Sequence, residues 1–165
     1  MRTIIDQPIA VSAGAAQDAF VAPGFYASLG ALANISAPEV RSLDRDGDHV
    51  HLVLAYRFAG TISGPARRIL DPAKIAWRQE AEVDLSARRT QVRMVPENYA
   101  QLLSFSGWYQ LDEDGPQRCT QHFEADLRVN VPLVGAVAER AIASGVRENL
   151  AATARLVEEY AGAGS

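Results

Sequence analysis

The residues most able to do chemistry in this 165-residue chain are neutral ones set in apolar surroundings. Gln79 and Gln121 each fall among apolar residues in segments where every second residue is apolar. A buried amide without a partner costs on the order of 1–3 kcal/mol. Both therefore either pair internally or line a wet or liganded pocket. Tyr56, Trp77 and Tyr109 share the same alternation and add hydrogen-bonding tips to an apolar wall of Leu54, Met94, Phe105 and Phe123. That is the makeup of a small-molecule site, and neutral tips suit a hydroxyl or carbonyl better than a charged headgroup.

Groups for acid–base, nucleophilic or metal chemistry are scarce. The sequence has no Gly-x-Ser-x-Gly elbow, Walker loop or Gly-x-Gly-x-x-Gly turn. His49 and His51, beside Asp46 and Asp48, have a spacing that could hold a metal, yet they alternate onto a charged, solvent-facing side with His122. Cys119, the only cysteine, points inward as a small hydrophobe and excludes an internal disulfide or a cysteine metal cluster. Glu97, after Pro96, is the one carboxylate to watch at a pocket rim. No catalytic residue, metal ligand or cofactor site is assigned.

Composition narrows the class further. Hydrophobic residues make up 48% and charged residues 22%, ordinary for a soluble domain. A net charge of −4 gives no basic footprint for nucleic acid and argues against adhesion to anionic membranes. No apolar run approaches the ~18 residues of a spanning helix, and MRTIIDQPIAV lacks a signal-peptide core. The expected setting is cytoplasmic. The Asn34-Ile35-Ser36 sequon is then a chance match.

These residues sit on strands of period two. A first strand is expected over Arg2–Gln7. A helix capped by Ser12 follows over Ala13–Val21, then a second short helix over Gly24–Ala33. Pro38–Asp44 leads into an Asp46-Gly47 hairpin signal. Further strands follow over His49–Phe58, Lys74–Leu85, Arg88–Val95, Leu102–Leu111 and Cys119–Val129, each with one apolar and one charged face. The stretch Gly60–Asp71, GTISGPARRILD, is too long for a hairpin turn and reads as a short helix or lid over the sheet's mouth.

Val131–Tyr160 reads as one long amphipathic helix with Pro132 in its first turn. Its expected inner stripe includes Ala138, Ala141, Ile142, Gly145, Val146, Asn149, Thr153, Leu156 and Val157. Ala141, Gly145 and Asn149 are the helix's candidate ligand-facing positions. One domain is expected over residues 1–161, with a flexible tail at 162–165.

A strand, a pair of short helices, an antiparallel meander and a long final helix is an order that resembles the START-like superfamily. This superfamily is also called SRPBCC, helix-grip, Bet v 1-like or polyketide cyclase/dehydrase-like. AFVAPGFYASL, Ala19–Leu29, resembles the family's junction between its short helices, with Ala22 where aspartate is usual. RVNVPLVG (Arg128–Gly135) and SGPARRIL (Ser63–Leu70) are similar to a largely actinobacterial subfamily without an assigned activity. The resemblance implies an α+β fold in which a curved antiparallel sheet grips the last helix. It also implies an apolar ligand between them.

The expected function is therefore binding or carriage of a hydrophobic or amphipathic small molecule, such as a lipid, isoprenoid or polyketide-like compound. Two alternatives stay open. One is an aromatase/cyclase-type enzyme in which Tyr56, Tyr109 or Gln79 stabilises an enol or water. The absence of an inward His, Asp, Glu or Arg weighs against it. The other is an interaction module whose core is filled, large strand residues packing on the small residues of the helix.

Overall fold

The computed structural model describes residues 1–163. Seven strands form one antiparallel sheet: β1 (Arg2–Ile9), β2 (Glu39–Asp46), β3 (His49–Arg57), β4 (Ala76–Asp84), β5 (Arg89–Pro96), β6 (Leu103–Gly115) and β7 (Arg118–Val129). Their order is β1-β7-β6-β5-β4-β3-β2. The meander thus runs from β2 to β7, and β1 adds to its far edge. Two short helices, α1 (Ala13–Phe20) and α2 (Pro23–Ser28), link β1 to β2, and α3 (Gly135–Ala163) closes the chain. This is the helix-grip arrangement. The final helix extends past the expected domain end at residue 161, and residues 164–165 of the expected tail lie outside the described residues.

Period-two alternation governs the sheet. Val50, Leu52 and Leu54 of β3, Ala81 and Val83 of β4, and Cys119, Phe123, Leu127 and Val129 of β7 are buried, while charged residues occupy the outer face. One row crossing the sheet reads Leu52, Ala81, Val92, Gly107, Ala125. Small residues in its middle let the strands curl inward. At Gly107 the curl is tight enough that a Cβ would lie 2.3 Å from the Glu124 carbonyl oxygen and 2.7 Å from the Ala125 Cβ.

Several boundaries differ from the expectation: β1 runs through Pro8, paired with Thr120 at the sheet's edge, to Ile9, β6 continues to Gly115, and three others bear on the helices and the first hairpin. The second helix stops at Ser28, because Leu29 turns extended and the chain then folds onto β3 through an Ile35–Phe58 bridge. The hairpin turn is Gly47–Asp48, one residue later than the Asp-Gly signal, since Asp46 pairs with His49. The long helix begins at Gly135, so Pro132 lies in a preceding turn rather than at the helix's first position. There Leu133 adopts φ 69, which breaks the helical run, and Gly135 donates its N–H to the Val131 carbonyl. A Cβ on Gly135 would meet the Val129 carbonyl oxygen at 2.4 Å, so only glycine lets the helix start so close to β7.

The Gly60–Asp71 stretch holds a 3-10 turn over Gly64–Arg68, and a second follows at Pro72–Lys74. Leu70 is buried against Val131 and packs near Val134 and Ala138, tying this segment to the start of α3.

Candidate functional site

The orientation of α3 decides what its small residues can do. It packs chiefly on β1, β7 and α1. Its most buried positions are Ala143, Ala154 and Val157, with Val146 and Leu150 packed on Ile5, Phe123 and Ala125. Ala141, expected on the inner face, is exposed on the other side of the helix and is removed from the candidate site. Alanine gives no polarity signal, so Ala141 and Ala143 could not be told apart by pattern. Ile142, from the same expected stripe, is exposed as well. The remaining positions Gly145, Asn149, Thr153 and Leu156 form a half-buried flank, of which Leu156 packs on the cluster that holds Ile9 and Cys119.

Across from that flank, the inner faces of β3, β4 and β5 carry the polar and aromatic residues. Leu54, Gln79 and Met94 are paired neighbours in one row, and Tyr56 and Trp77 in the next. The Tyr56 and Trp77 rings stack at 5.7 Å. Leu54 is fully buried, whereas Tyr56, Trp77, Gln79 and Met94 keep accessible surface although they point inward. Phe105 and Tyr109 continue the wall on β6, Phe105 stacking on Phe123 at 6.3 Å. A Cβ placed on Gly145 would meet nothing within 4 Å. The inner faces of β3–β5 thus keep partly accessible polar and aromatic residues, while Val146 and Leu150 of α3 pack closely with Phe105, Tyr109 and Phe123.

Gln121 is separated from this group. It is 3% exposed and pairs with Gln7 and Leu111, between Cys119 and Phe123, at the end of the sheet covered by α1.

The proton-bearing groups of the inner face are all neutral at physiological pH. Burial pushes the Tyr56 phenol well above its ordinary value. Burial also raises Tyr109 to about 12, against the opposing effect of a hydrogen bond with Thr90. Tyr26 of α2 is raised by burial and further by the nearby phenols of Tyr109 and Tyr56, and its hydroxyl donates to the Phe20 carbonyl at 2.7 Å. Cys119 is raised to about 11, chiefly by burial and then by Glu113 and Asp114. Tyr26 and Thr90 are additions to the sequence-derived set. Thr90 was legible as the inward residue two before Val92, but Tyr26 reaches the cluster only through tertiary folding.

Asn149 is the sharpest feature of the helix flank. Its Nδ2 donates to the Ala33 carbonyl at a long 3.4 Å, while its Oδ1 is buried without a hydrogen-bond partner. No other buried side-chain oxygen or nitrogen among the described residues is left in that state.

Other sites of possible chemistry lie apart from these residues. His49 and His51 stand on the outer face and both contact Glu82, His49 at 2.5 Å, rather than Asp46 or Asp48. His122, also on the outer face, bridges Asp6 at 2.5 Å and Glu124 at 3.1 Å. A cleft of about 760 Å³ crosses the outer face around Gly107, and another of about 420 Å³ lies beside α1 and the β4–β5 turn. The larger cleft is walled by the Arg2–Glu124 and Arg93–Glu80 pairs, whose charges satisfy one another. Glu97 is exposed in the β5–β6 connection.

With this geometry established, comparison with known proteins places the chain. Residues 5–161 match the family described as "Protein of unknown function (DUF2505)". The chain belongs to the DUF2505 family. No curated protein matches it. Among solved structures, this DUF2505 member is similar to a Thermus thermophilus protein at TM-score 0.68 and 14% identity, covering 100% of this chain and 99% of that one. It is similar to the ZhuI aromatase/cyclase from a Streptomyces species at 0.66 and 16%, covering 98% and 93%. It is also similar to norcoclaurine synthase from Thalictrum flavum at 0.61 and 19%, covering 97% and 86%. That synthase has also been solved in complex with dopamine and hydroxybenzaldehyde. At these identities the likeness shows the fold, which is the SRPBCC or Bet v 1-like one. Among the described residues no helix is long and apolar enough to cross a membrane.

Proposed function

We propose that this protein binds and carries a hydrophobic or amphipathic small molecule with a neutral polar head, held between the sheet and α3. Lipid, isoprenoid and polyketide-like compounds are the candidate classes. The observation that carries the reading is the buried, unpartnered Asn149 Oδ1 of α3, and the proposal sets a ligand-holding hollow between it and the inner faces of β3–β5. An orphaned acceptor is costly in an empty protein and becomes an asset when a ligand O–H or N–H meets it. Tyr56 and Gln79 supply donors across the hollow, while Leu54, Trp77, Met94, Phe105, Tyr109 and Phe123 supply its apolar wall. Gln121, under α1, would serve only a ligand that reaches that end.

Carriage is favoured over transformation by the titratable groups at hand. Tyr109 and Cys119 hold their protons to about 12 and 11, and Tyr26 and Tyr56 are raised as well. General acid–base catalysis works best with a group poised near the operating pH. Groups held neutral instead make steady hydrogen-bond donors.

The test is native mass spectrometry of freshly purified protein, with extraction and identification of whatever is released. A bound apolar species carrying a hydroxyl or carbonyl is the expected result. A clean apo mass together with no thermal shift from a panel of lipids, isoprenoids and polyketides would overturn the reading in favour of a filled core.

A further inference from the structure

One end of the molecule carries three exposed large apolar side chains, two of them the most exposed among the described residues. Leu133 is 98% exposed, Val137 60% and Ile69 44%. Leu133 stands in the turn before α3 at φ 69, a conformation that strains any residue with a Cβ. Val137 lies one helical turn beyond it. Ile69 adjoins Leu70, whose burial against Val131 joins the Gly60–Asp71 segment to the start of α3. The three residues therefore belong to one tip.

The tip is also basic. Arg67, Arg68, Lys74, Arg128 and Arg140 are all exposed there. None of them forms an ion pair among the described residues. The carboxylates nearby are fewer and partly engaged. Asp71 accepts from the Ala73 N–H at 3.0 Å, Glu139 accepts from the Val129 N–H at 3.0 Å and faces the N-terminal ammonium at 3.8 Å, and Glu97 is exposed. A chain of net charge −4 thus concentrates positive charge where its apolar side chains protrude.

We infer that this tip docks reversibly on an anionic lipid surface, with Leu133 and Val137 entering the headgroup layer and the arginines meeting lipid phosphates. Apolar side chains projecting from a cationic collar are the composition of an interfacial anchor. A protein partner is the poorer match, since the centre of a protein interface is depleted of charge and needs roughly 800 Å² per side. Three isolated side chains offer far less. The negative remainder of the molecule is repelled by the same surface, so it approaches tip first. The net charge alone argued against such adhesion, because a sum hides its distribution. This docking does not depend on what the hollow binds.

The test is co-sedimentation of the full chain with vesicles of phosphatidylcholine plus phosphatidylglycerol, against vesicles of phosphatidylcholine alone. Binding is expected only to the anionic vesicles and should fade as salt rises. Leu133→Asp, and separately the double change Arg67→Glu with Arg68→Glu, should each lower partitioning by roughly tenfold or more. Leu133→Asn, which tolerates a positive φ, gives a polar variant with its fold preserved and should weaken binding in the same direction. Three results would overturn the proposal: no binding to anionic vesicles at low salt, binding indifferent to these changes, or a dimer by light scattering that Leu133→Asp splits. The last would assign the tip to a second copy of the chain.

Discussion

Replacing Asn149 by leucine tests the site with two readouts of opposite sign. In the unliganded protein the Asn149 Oδ1 is buried with no partner. Its removal recovers a desolvation cost of about 1–2 kcal/mol. Against this stands the loss of one hydrogen bond to Ala33, which at 3.4 Å is worth at most about 0.5 kcal/mol. Leucine has nearly the same shape, so little cavity or overpacking energy enters. The expected net effect is stabilisation by about 1 kcal/mol, or a rise in Tm of roughly 2–4 °C for a chain of this size. Ligand affinity should move the other way. A hydrogen bond from a ligand hydroxyl to this oxygen is worth about 1–1.5 kcal/mol, so a long-chain alcohol should bind roughly tenfold more weakly to the variant. The methyl ether of the same alcohol, which has no donor, should bind both proteins alike. Thermal denaturation of apo protein and competition against an environment-sensitive dye give the two numbers. A variant that is destabilised by more than about 1 kcal/mol would mean that the oxygen is satisfied in the apo protein, and the argument for a ligand donor would fail.

Other consequences follow from the same structure. Gly145→Phe should leave stability unchanged or slightly raised, because a Cβ there meets nothing within 4 Å and glycine is a poor helix former. It should also abolish dye and ligand uptake, and a folded variant that still binds would refute the placement of the hollow. Gly107→Ala should cost about 3 kcal/mol in urea denaturation, since its Cβ would sit 2.3 Å from the Glu124 carbonyl oxygen; a loss under about 1 kcal/mol would show that the curl is not tight. Stability should also depend on pH with a weakly acidic maximum. His122 is raised above 6.5 by its hydrogen bonds to Asp6 and Glu124, so its contribution is complete below that value and is lost as pH rises through the folded pKa. Glu80, Asp84 and Glu124 are lowered, chiefly by bonds from Arg93, the Ser86 hydroxyl and Arg2 respectively, so their contributions are lost as pH falls through those lowered values. Urea midpoints should therefore peak between about pH 5 and 6.5, and His122→Asn should flatten the decline above neutrality. A wild-type midpoint that still climbs from about pH 6 to 8 would contradict the assignment.

The strands were legible because burial on one face of a sheet writes itself into the sequence with period two. Trp77, Gln79, Ala81 and Val83 could be assigned to the inner face from β4 alone. The helix was harder. Its apolar and small residues cover more than half its circumference, so periodicity fixed that it was amphipathic but not which line would touch β1 and β7. Ala143 and Ala154 are buried there, yet alanine is the best helix former and its position on a helix does not by itself mark the buried face. The rotation put Ala141 outside and left Gly145 and Asn149 half-buried. Likewise the Asn149–Ala33 bond joins residues 116 apart in sequence. It depends on α2 ending at Ser28 and on Ile35 bridging to β3, and neither is encoded near Asn149.

The proposed hollow depends on where the helix lies on the sheet. α3 packs chiefly on β1 and β7 rather than on β3 and β4. On the helix flank the chain has Gly145, Asn149 and Thr153, which bring little bulk to fill such a space. The wall opposite cannot fill the space either, because Tyr56 and Trp77 are committed to each other by stacking. The deepest groups are then phenols and amides rather than carboxylates or imidazoles. Such a lining can bind a hydroxyl or carbonyl in either direction of hydrogen bonding, since Tyr56 and Gln79 can donate and Asn149 Oδ1 can accept. On the proposed reading it would recognise a molecule without holding a charge on it, and release that molecule without first moving a proton.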